Sequence, residues 1–589
     1  MPYVVPASAS RPSDTANLTD DVLERLVADP EAVALARRGA DGWTDVTISA
    51  FHAEVTAAAR GLIASGVEPG DRVALLSKTR YEWTVLDYAI WWAGAVTVPI
   101  YETSSADQIA WIISNSGAVG AVAETQQHAD RVGEKRGESP ALRHVWVIDA
   151  PGDDGALAAL TQAGTSVSDA DLETRRLTVT PESLATLIYT SGTTGRPKGC
   201  RLTHANFRAE IDGALEQLPD LFGRENASTL LFLPLAHVFA RIIQIGAIRS
   251  GAKLGHTADV KDLVTHLGEF QPTFVLAVPR VFEKVFNTAS ARAYADGKGK
   301  IFDRAVKTAI EYSKGLDSPK GRASLAVRTR HALFDQLVYG KLRGALGGHA
   351  EWAISGGAPL GERLAHFYRG IGVTVLEGYG LTETTAALCV NTPEGQRVGS
   401  VGRPFPGTEV KVGSDGELLF RGPQVFEGYW EDEEATADAI DPDGWFATGD
   451  LGDVDDDGFV RITGRKKEII VTAGGKNVAP AVLEDRVRAN QYVSQCLVVG
   501  DGKPFIAALV TIDAEAWDGS LDDPALKVEV QKAVDDANTQ VSQAESIRKF
   551  EILREDWTEE NGYLTPSFKV KRNAVLRDFH DTVEALFVR

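Results

Sequence analysis

The sequence predicts an α/β protein. A large N-terminal domain has mostly parallel sheets flanked by helices, a β-rich subdomain follows, and a small α+β domain ends the chain. Three observations lead there. Residues 72–76, 82–93 and 96–100 read as strand, helix and strand within about 30 residues, the spacing of a parallel crossover unit. Apolar runs at 145–148, 184–188, 230–233, 273–278, 352–354 and 373–376 alternate with helical stretches, as in sheets covered by helices. From Val401 onward the pattern changes to short alternating strands, such as 417–421 and 459–463, turned by Gly and Asp.

At 589 residues, 44% hydrophobic and 24% charged, the chain is an ordinary globular protein too long for one core. Its net charge of −21 argues against general nucleic-acid binding, which needs a basic footprint. Cys200, Cys389 and Cys496 lie far apart, so reduced thiols are expected rather than disulfides or structural zinc. Residues 1 to about 20 are polar and read as a loose arm without the apolar stretch of a signal peptide. The run 88–101 falls short of the roughly 20 apolar residues of a membrane span, and Gly94 and Pro99 interrupt it. A buried helix followed by a buried strand is expected there.

Residues 291–343 break the strand–helix rhythm with helical periodicity at Ile301, Phe302, Ala305, Val306, Ala309 and Ile310. Twelve Lys/Arg against five Asp/Glu give this segment +7 in a chain of −21. Solvated helix faces are the plain reading; a docking surface for anionic lipid headgroups or substrate phosphates is the sharper one. Residues 453–458 resemble half a calcium loop, but Gly464 stands where that loop needs Glu, so a hairpin turn is expected. Beyond Lys467 come a helix from Ala481, a hairpin of 493–499 and 505–512, and an amphipathic helix near 525–545. The domains are therefore set at 1–466 and 467–589.

The chemistry begins at Tyr189-Thr190-Ser191-Gly192-Thr193-Thr194-Gly195-Arg196-Pro197-Lys198-Gly199, between an apolar strand and a helix that Thr203 would cap near His204. Glycines let backbone approach a ligand, successive N–H groups make an anion nest, and Lys198 adds a positive charge. A polyphosphate is the expected ligand. The spacing is not that of the common NTPase loop, because Pro197 precedes the lysine and Gly199 follows it. These eleven residues closely resemble the phosphate loop of the adenylate-forming enzymes, which include acyl-CoA synthetases, luciferases and peptide-synthetase adenylation domains.

Four further stretches resemble the same family in the family's order. Ser355-Gly356-Gly357-Ala358-Pro359-Leu360 corresponds to the turn along one face of adenine. In Glu377-Gly378-Tyr379-Gly380-Leu381-Thr382-Glu383, the resemblance implies that Tyr379 stacks on adenine, Thr382 touches the α-phosphate and Glu383 holds Mg²⁺. Asp450, before Gly464-Arg465, would accept from the ribose hydroxyls with Arg465 beside it. Lys569 matches the family's catalytic lysine, although Phe568 stands where glycine is usual, a departure that resembles the long-chain branch.

The resemblance also implies a mobile C-terminal domain hinged at Lys467. Its rotation would withdraw Lys569 and bring in Ala473-Gly474-Gly475-Lys476-Asn477, whose Gly474 and Gly475 would flank the pantetheine of coenzyme A. His237, in Pro234-Leu235-Ala236-His237-Val238-Phe239, corresponds to a histidine near the acyl carboxylate. Ile242, Ile243, Ile245 and Ile248 line an acyl channel or belong to the core. The segment 291–343 and Tyr101-Glu102-Thr103-Ser104-Ser105 also resemble the long-chain fatty acid–CoA ligases, particularly actinobacterial ones. ATP, Mg²⁺ and coenzyme A are then the expected cofactor and cosubstrates. The expected location is cytoplasmic, with peripheral contact at the inner membrane face through 291–343. Rival readings are a fatty acyl-AMP ligase and a non-catalytic lipid-binding protein. A serine hydrolase lacks its Gly-x-Ser-x-Gly elbow.

Overall fold

The computed structural model describes residues 2–6, 16–150, 155–190, 196–258, 262–565 and 568–588. Strands Arg72–Leu76 and Val96–Ile100 pair in parallel across helix Tyr81–Trp92, and Trp83 and Trp91 of that helix are fully buried. The sheet runs in the order His144–Val147, Gly120–Ala123, Arg72–Leu76, Val96–Ile100, Leu184–Thr190, Lys198–Thr203, and only the last pair is antiparallel. A second sheet joins Ser228–Leu231, Lys253–His256 and Val33–Gly39 in parallel, with Gly42–Thr47 antiparallel at its edge.

The third sheet positions the site. Phe274–Ala277, Trp352–Ser355 and Thr374–Tyr379 run parallel with Ala277, Ser355 and Glu377 in register, so their carboxyl ends open on one edge. That is where ligands bind in open α/β sheets. Helices between the strands bury apolar stripes against these sheets in a large core that reaches from Leu18 to Phe446, and helix Ala106–Ser116 packs Ile109, Ile112 and Ile113 in a separate cluster with Leu76 and Val98 of the first sheet. All four isoleucines at 242, 243, 245 and 248 are buried in it, on helix Val238–Ser250.

An antiparallel sheet of Tyr3–Val4, Glu409–Val412, Glu417–Arg421, Phe446–Val454 and Val460–Arg465 forms the β-rich part. The turn before Val460 is a hairpin, with Gly458 at φ +84°, as expected. Beyond it, Val493–Val499, Ile506–Ile512 and Ile547–Ile552 form a sheet with separate apolar clusters on its two faces.

Three expectations need correction. The N-terminal residues are not simply a loose arm: Tyr3 and Val4 pair with Val410 and Glu409, and Leu18 is fully buried. Lys198 begins a strand rather than ending a loop before a helix, because Lys198–Thr203 folds back onto Leu184–Thr190; Thr203 still caps helix His204–Gln217. The helix Pro524–Asn538 stops short of 545, its last turn closed by Thr539.

Candidate active site

Thr190 lies opposite Lys198 in the antiparallel pair. Ser191, Gly192, Thr193, Thr194 and Gly195 lie outside the described residues. The strand Lys198–Thr203 is pinned at its start by Trp111 Nε1 donating to the Pro197 carbonyl at 2.9 Å and by the Trp430 amide donating to the Gly199 carbonyl at 2.7 Å. Lys198 Nζ stands 3.2 Å from Asp432 Oδ2 and 5.4 Å from the Tyr429 ring centre. The Tyr429 hydroxyl donates to Glu383 Oε1 at 2.9 Å. Tyr429 thus joins the lysine of one motif to the carboxylate of another.

The third sheet delivers the two glycine turns. Gly357 has φ +83°, and a Cβ placed on it would lie 3.8 Å from both Lys569 Cε and Val278, so Lys569 reaches this turn. Gly356 is buried and Ala358 exposed beside it. Gly378 lies in the strand against Cys389. A Cβ on Gly380 would fall 1.5 Å from the Ala386 carbonyl oxygen, so only glycine closes the 380–386 loop. That loop carries Thr382 and Glu383 in a short 3₁₀ turn and holds Thr385 and Ala386 at φ 56° and 97°. Glu377 accepts from the Leu360 amide at 3.0 Å, and burial pushes its pKa up to about 7.

Asp450 is 3% exposed. Its Oδ2 accepts from the Tyr379 hydroxyl at 2.6 Å, and its Oδ1 lies 3.1 Å from Arg465 Nε. Both oxygens retain acceptor capacity. Lys569 is not on a strand; two residues on, Lys571 takes the N-cap position of helix Arg572–Asp578. The Lys569 backbone is clamped by Thr565, whose amide donates to the Lys569 carbonyl at 2.8 Å and whose Oγ1 accepts from the Lys569 amide at 3.0 Å.

The Lys569 side chain is solvent-accessible. Burial first, and the charge of Arg465 second, lower its pKa, while Asp450 and Glu383 act the other way. His237 is the N-cap of helix Val238–Ser250, its Nδ1 accepting from the Phe239 amide at 3.1 Å. Burial, then the nearby Lys569, lowers its pKa to about 3, so it is a neutral imidazole with its proton on Nε2.

The structure therefore brings together Lys198 and Glu383 through Tyr429, Tyr379 with Asp450 and Arg465, and Lys569 with Gly357. Gly474 and Gly475 stand exposed on the turn between Ile470–Val471 and Asn477–Val478. Tyr429, Asp432 and Val278 were not singled out from the sequence. The local signal for Tyr429 and Asp432 is an aromatic pair after Gly428, whose φ is +133°, whereas Val278 ends the apolar run 273–278.

Fold and cleft together are those of the adenylate-forming enzymes. A family model for the AMP-binding enzyme matches residues 23–430, another for the AMP-binding enzyme C-terminal domain matches 467–589, and the chain belongs to this family. Long-chain-fatty-acid–CoA ligase FadD15 of Mycobacterium tuberculosis is 52% identical over 97% of this chain and 97% of its own length. The FadD15 of Mycobacterium bovis matches to the same extent. Among solved structures, the anthranilate CoA ligase AuaEII in complex with anthranoyl-AMP has a TM-score of 0.76 at 20% identity. That match covers 98% of this chain and 100% of AuaEII, and it speaks to the fold.

Proposed function

We propose that the chain converts a long-chain fatty acid, ATP and coenzyme A into acyl-CoA, AMP and pyrophosphate in two steps at one cleft. The observation that carries this reading is the entry of Lys569, from the C-terminal unit, into a cleft shared by Gly357, Glu383 and the Asp450–Arg465 pair. In the first step the fatty-acid carboxylate, already ionised at neutral pH, attacks the α-phosphorus of ATP. A carboxylate O–P bond forms and the bond to pyrophosphate breaks. No base is required, and positioning and charge neutralisation do the work.

Lys198 and the motif from Thr190 to Gly195 take the departing pyrophosphate, and Lys569 bridges the carboxylate and the α-phosphate, which Thr382 also touches. Tyr379 stacks on adenine, Gly356, Gly357 and Ala358 line its other face, and Asp450 accepts from the ribose. Glu377, Gly378 and Gly380 shape the floor, and neutral His237 lines the acyl end. Among the described residues no group of three His, Cys, Asp or Glu could hold a metal ion. The Glu383 carboxylate nevertheless suits Mg²⁺ and would hold it. When bound, Mg²⁺ supplies positive charge to the phosphates.

In the second step the coenzyme A thiol displaces AMP from the mixed anhydride. We set the domain boundary at 466/467, because Lys466 Nζ is tied to Asp415 at 2.5 Å and Glu417 at 2.9 Å in the N-terminal unit. Rotation about Lys467 would withdraw Lys569 and turn Gly474 and Gly475 toward the cleft. Mass spectrometry of products from palmitate, Mg-ATP and coenzyme A tests the reading. Palmitoyl-CoA with AMP supports it. Palmitoyl-adenylate that persists with coenzyme A present would make the protein an acyl-AMP ligase.

We also propose a cytoplasmic enzyme that touches anionic membrane through its basic helices. No described helix is long and apolar enough to cross a membrane. Helix Leu325–Phe334 buries no residue, and Leu325, Leu333 and Leu337 are 76%, 56% and 54% exposed. Exposed Lys314, Lys320, Arg322 and Arg328 accompany them. Outward leucines with a basic surround suit an anionic interface. Co-sedimentation with anionic vesicles should fall sharply on Leu333→Glu/Leu337→Glu substitution; equal binding would discard the idea.

A further inference from the structure

The C-terminal unit does more than follow the 466–467 connection; it docks on two helices that start at the cleft. Helix Pro279–Ala295 follows Val278, and helix Glu362–Gly370 follows the glycine turn. Arg363 Nη2 donates to the carbonyl of Ala489 at 2.9 Å. Ala489 is the C-cap of helix Pro480–Arg488, where unsatisfied carbonyls carry partial negative charge and favour a cation. The Arg363 guanidinium also lies 4.9 Å from the Phe286 ring centre, which holds it in place.

The remaining contacts reach adjoining stretches of the C-terminal unit. Arg280 Nη2 donates to Ser494 Oγ at 3.0 Å, and Ser494 in turn donates to Asp556 at 2.6 Å. Ser290 Oγ donates to Gln491 Oε1 at 3.1 Å, and Lys284 Nζ lies 3.3 Å from Glu515 on the exposed rim. One face, built from 489–494 and the end of the following hairpin, is thus gripped by side chains whose helices begin beside Gly357 and Val278. The pose they hold is the one in which Lys569 reaches Gly357.

We propose that Arg363, seconded by Arg280, is a positioning residue for the first half-reaction: it latches the C-terminal unit in the pose that inserts Lys569. It touches no substrate. Withdrawal of Lys569 for the second step requires these bonds to break. The inference rests on the two-step reading above and adds to it what selects the first pose. The latch can be tight enough to bias the pose and still open, because a hydrogen bond to one charged partner is worth only a few kcal/mol.

The test uses the full-length protein as wild type, Arg363→Met, Arg280→Ala and Arg363→Lys. Acyl-adenylate formation is measured with fatty acid and ATP alone, and thioester formation with supplied acyl-adenylate and coenzyme A. Arg363→Met should lower kcat for adenylation about ten- to a hundredfold, the range expected for a lost charged hydrogen bond. It should leave thioester formation unchanged or faster. Arg280→Ala should act in the same direction more weakly, and Arg363→Lys should recover part of the loss, since an ammonium also suits a helix C-terminus. Tryptic cleavage at Lys467 should quicken in Arg363→Met at unchanged Tm. Equal loss in both half-reactions, or undiminished adenylation, overturns the latch alone. A wild-type protein that makes neither product overturns the two-step reading and the latch with it.

Discussion

The role proposed for Lys569 divides the chemistry at a single side chain. It comes from the C-terminal unit and lies beside Gly357, and its ammonium shares the cleft with Arg465, Asp450 and Glu383. Lys569→Ala should nearly abolish adenylation yet spare thioester formation from supplied acyl-adenylate, measured by single-turnover assay of each half-reaction. Glu377 makes a second prediction, about stability. Its carboxyl is raised from 4.5 to about 7 by burial. A raised folded pKa means the folded state binds the proton more tightly than the unfolded state, so stability is fullest below pH 4.5 and declines as pH rises through 7. Glu377→Gln should flatten that decline between pH 4.5 and 7 in urea unfolding. His237 is neutral above about pH 3 and contributes no limb to a pH–rate profile near neutrality.

At the scale of an element, the turn before Lys569 explains a departure in the sequence. Phe568 replaces the family's usual glycine, yet its φ is +61°, the left-handed conformation that glycine adopts freely. The backbone course that presents Lys569 is therefore kept, at a strain of roughly 1–2 kcal/mol. Packing of the Phe568 ring against apolar residues of both units offsets it. Phe568→Gly removes both strain and ring, whereas Phe568→Ala removes only the ring. Alanine should therefore be less stable than glycine by about 1 kcal/mol in denaturant unfolding, and adenylation should rank the same way. A local pattern reveals that a lysine follows a turn, but not which φ the turn adopts. Similarly, the strand Lys198–Thr203 was not legible, because its pairing partner rather than its own short polar sequence makes it a strand.

For the whole molecule, the two units meet in the pose in which Lys569 reaches Gly357. The turn carrying Gly474 and Gly475 is exposed in this pose. Hydrogen exchange across 472–476 should slow when a non-hydrolysable acyl-adenylate analogue and coenzyme A are added together, and not with ATP alone. Unchanged exchange would remove that turn from the thiol path.

The sequence by itself determined the α/β class, the crossover unit at 72–100, the capped helix after Thr203 and the order of the glycine motifs. Each of these depends on residues within a few turns of one another. It also marked Lys198, Glu383, Asp450, Arg465 and Lys569, through motifs specific enough to identify a family. Only the tertiary structure decided that Tyr429 links Lys198 to Glu383, that Tyr379 and Arg465 share Asp450, and that Arg363 grips Ala489. Those partners lie far apart along the chain. Hydrogen bonds and ion pairs form by distance in space, and no spacing in the sequence encodes that distance.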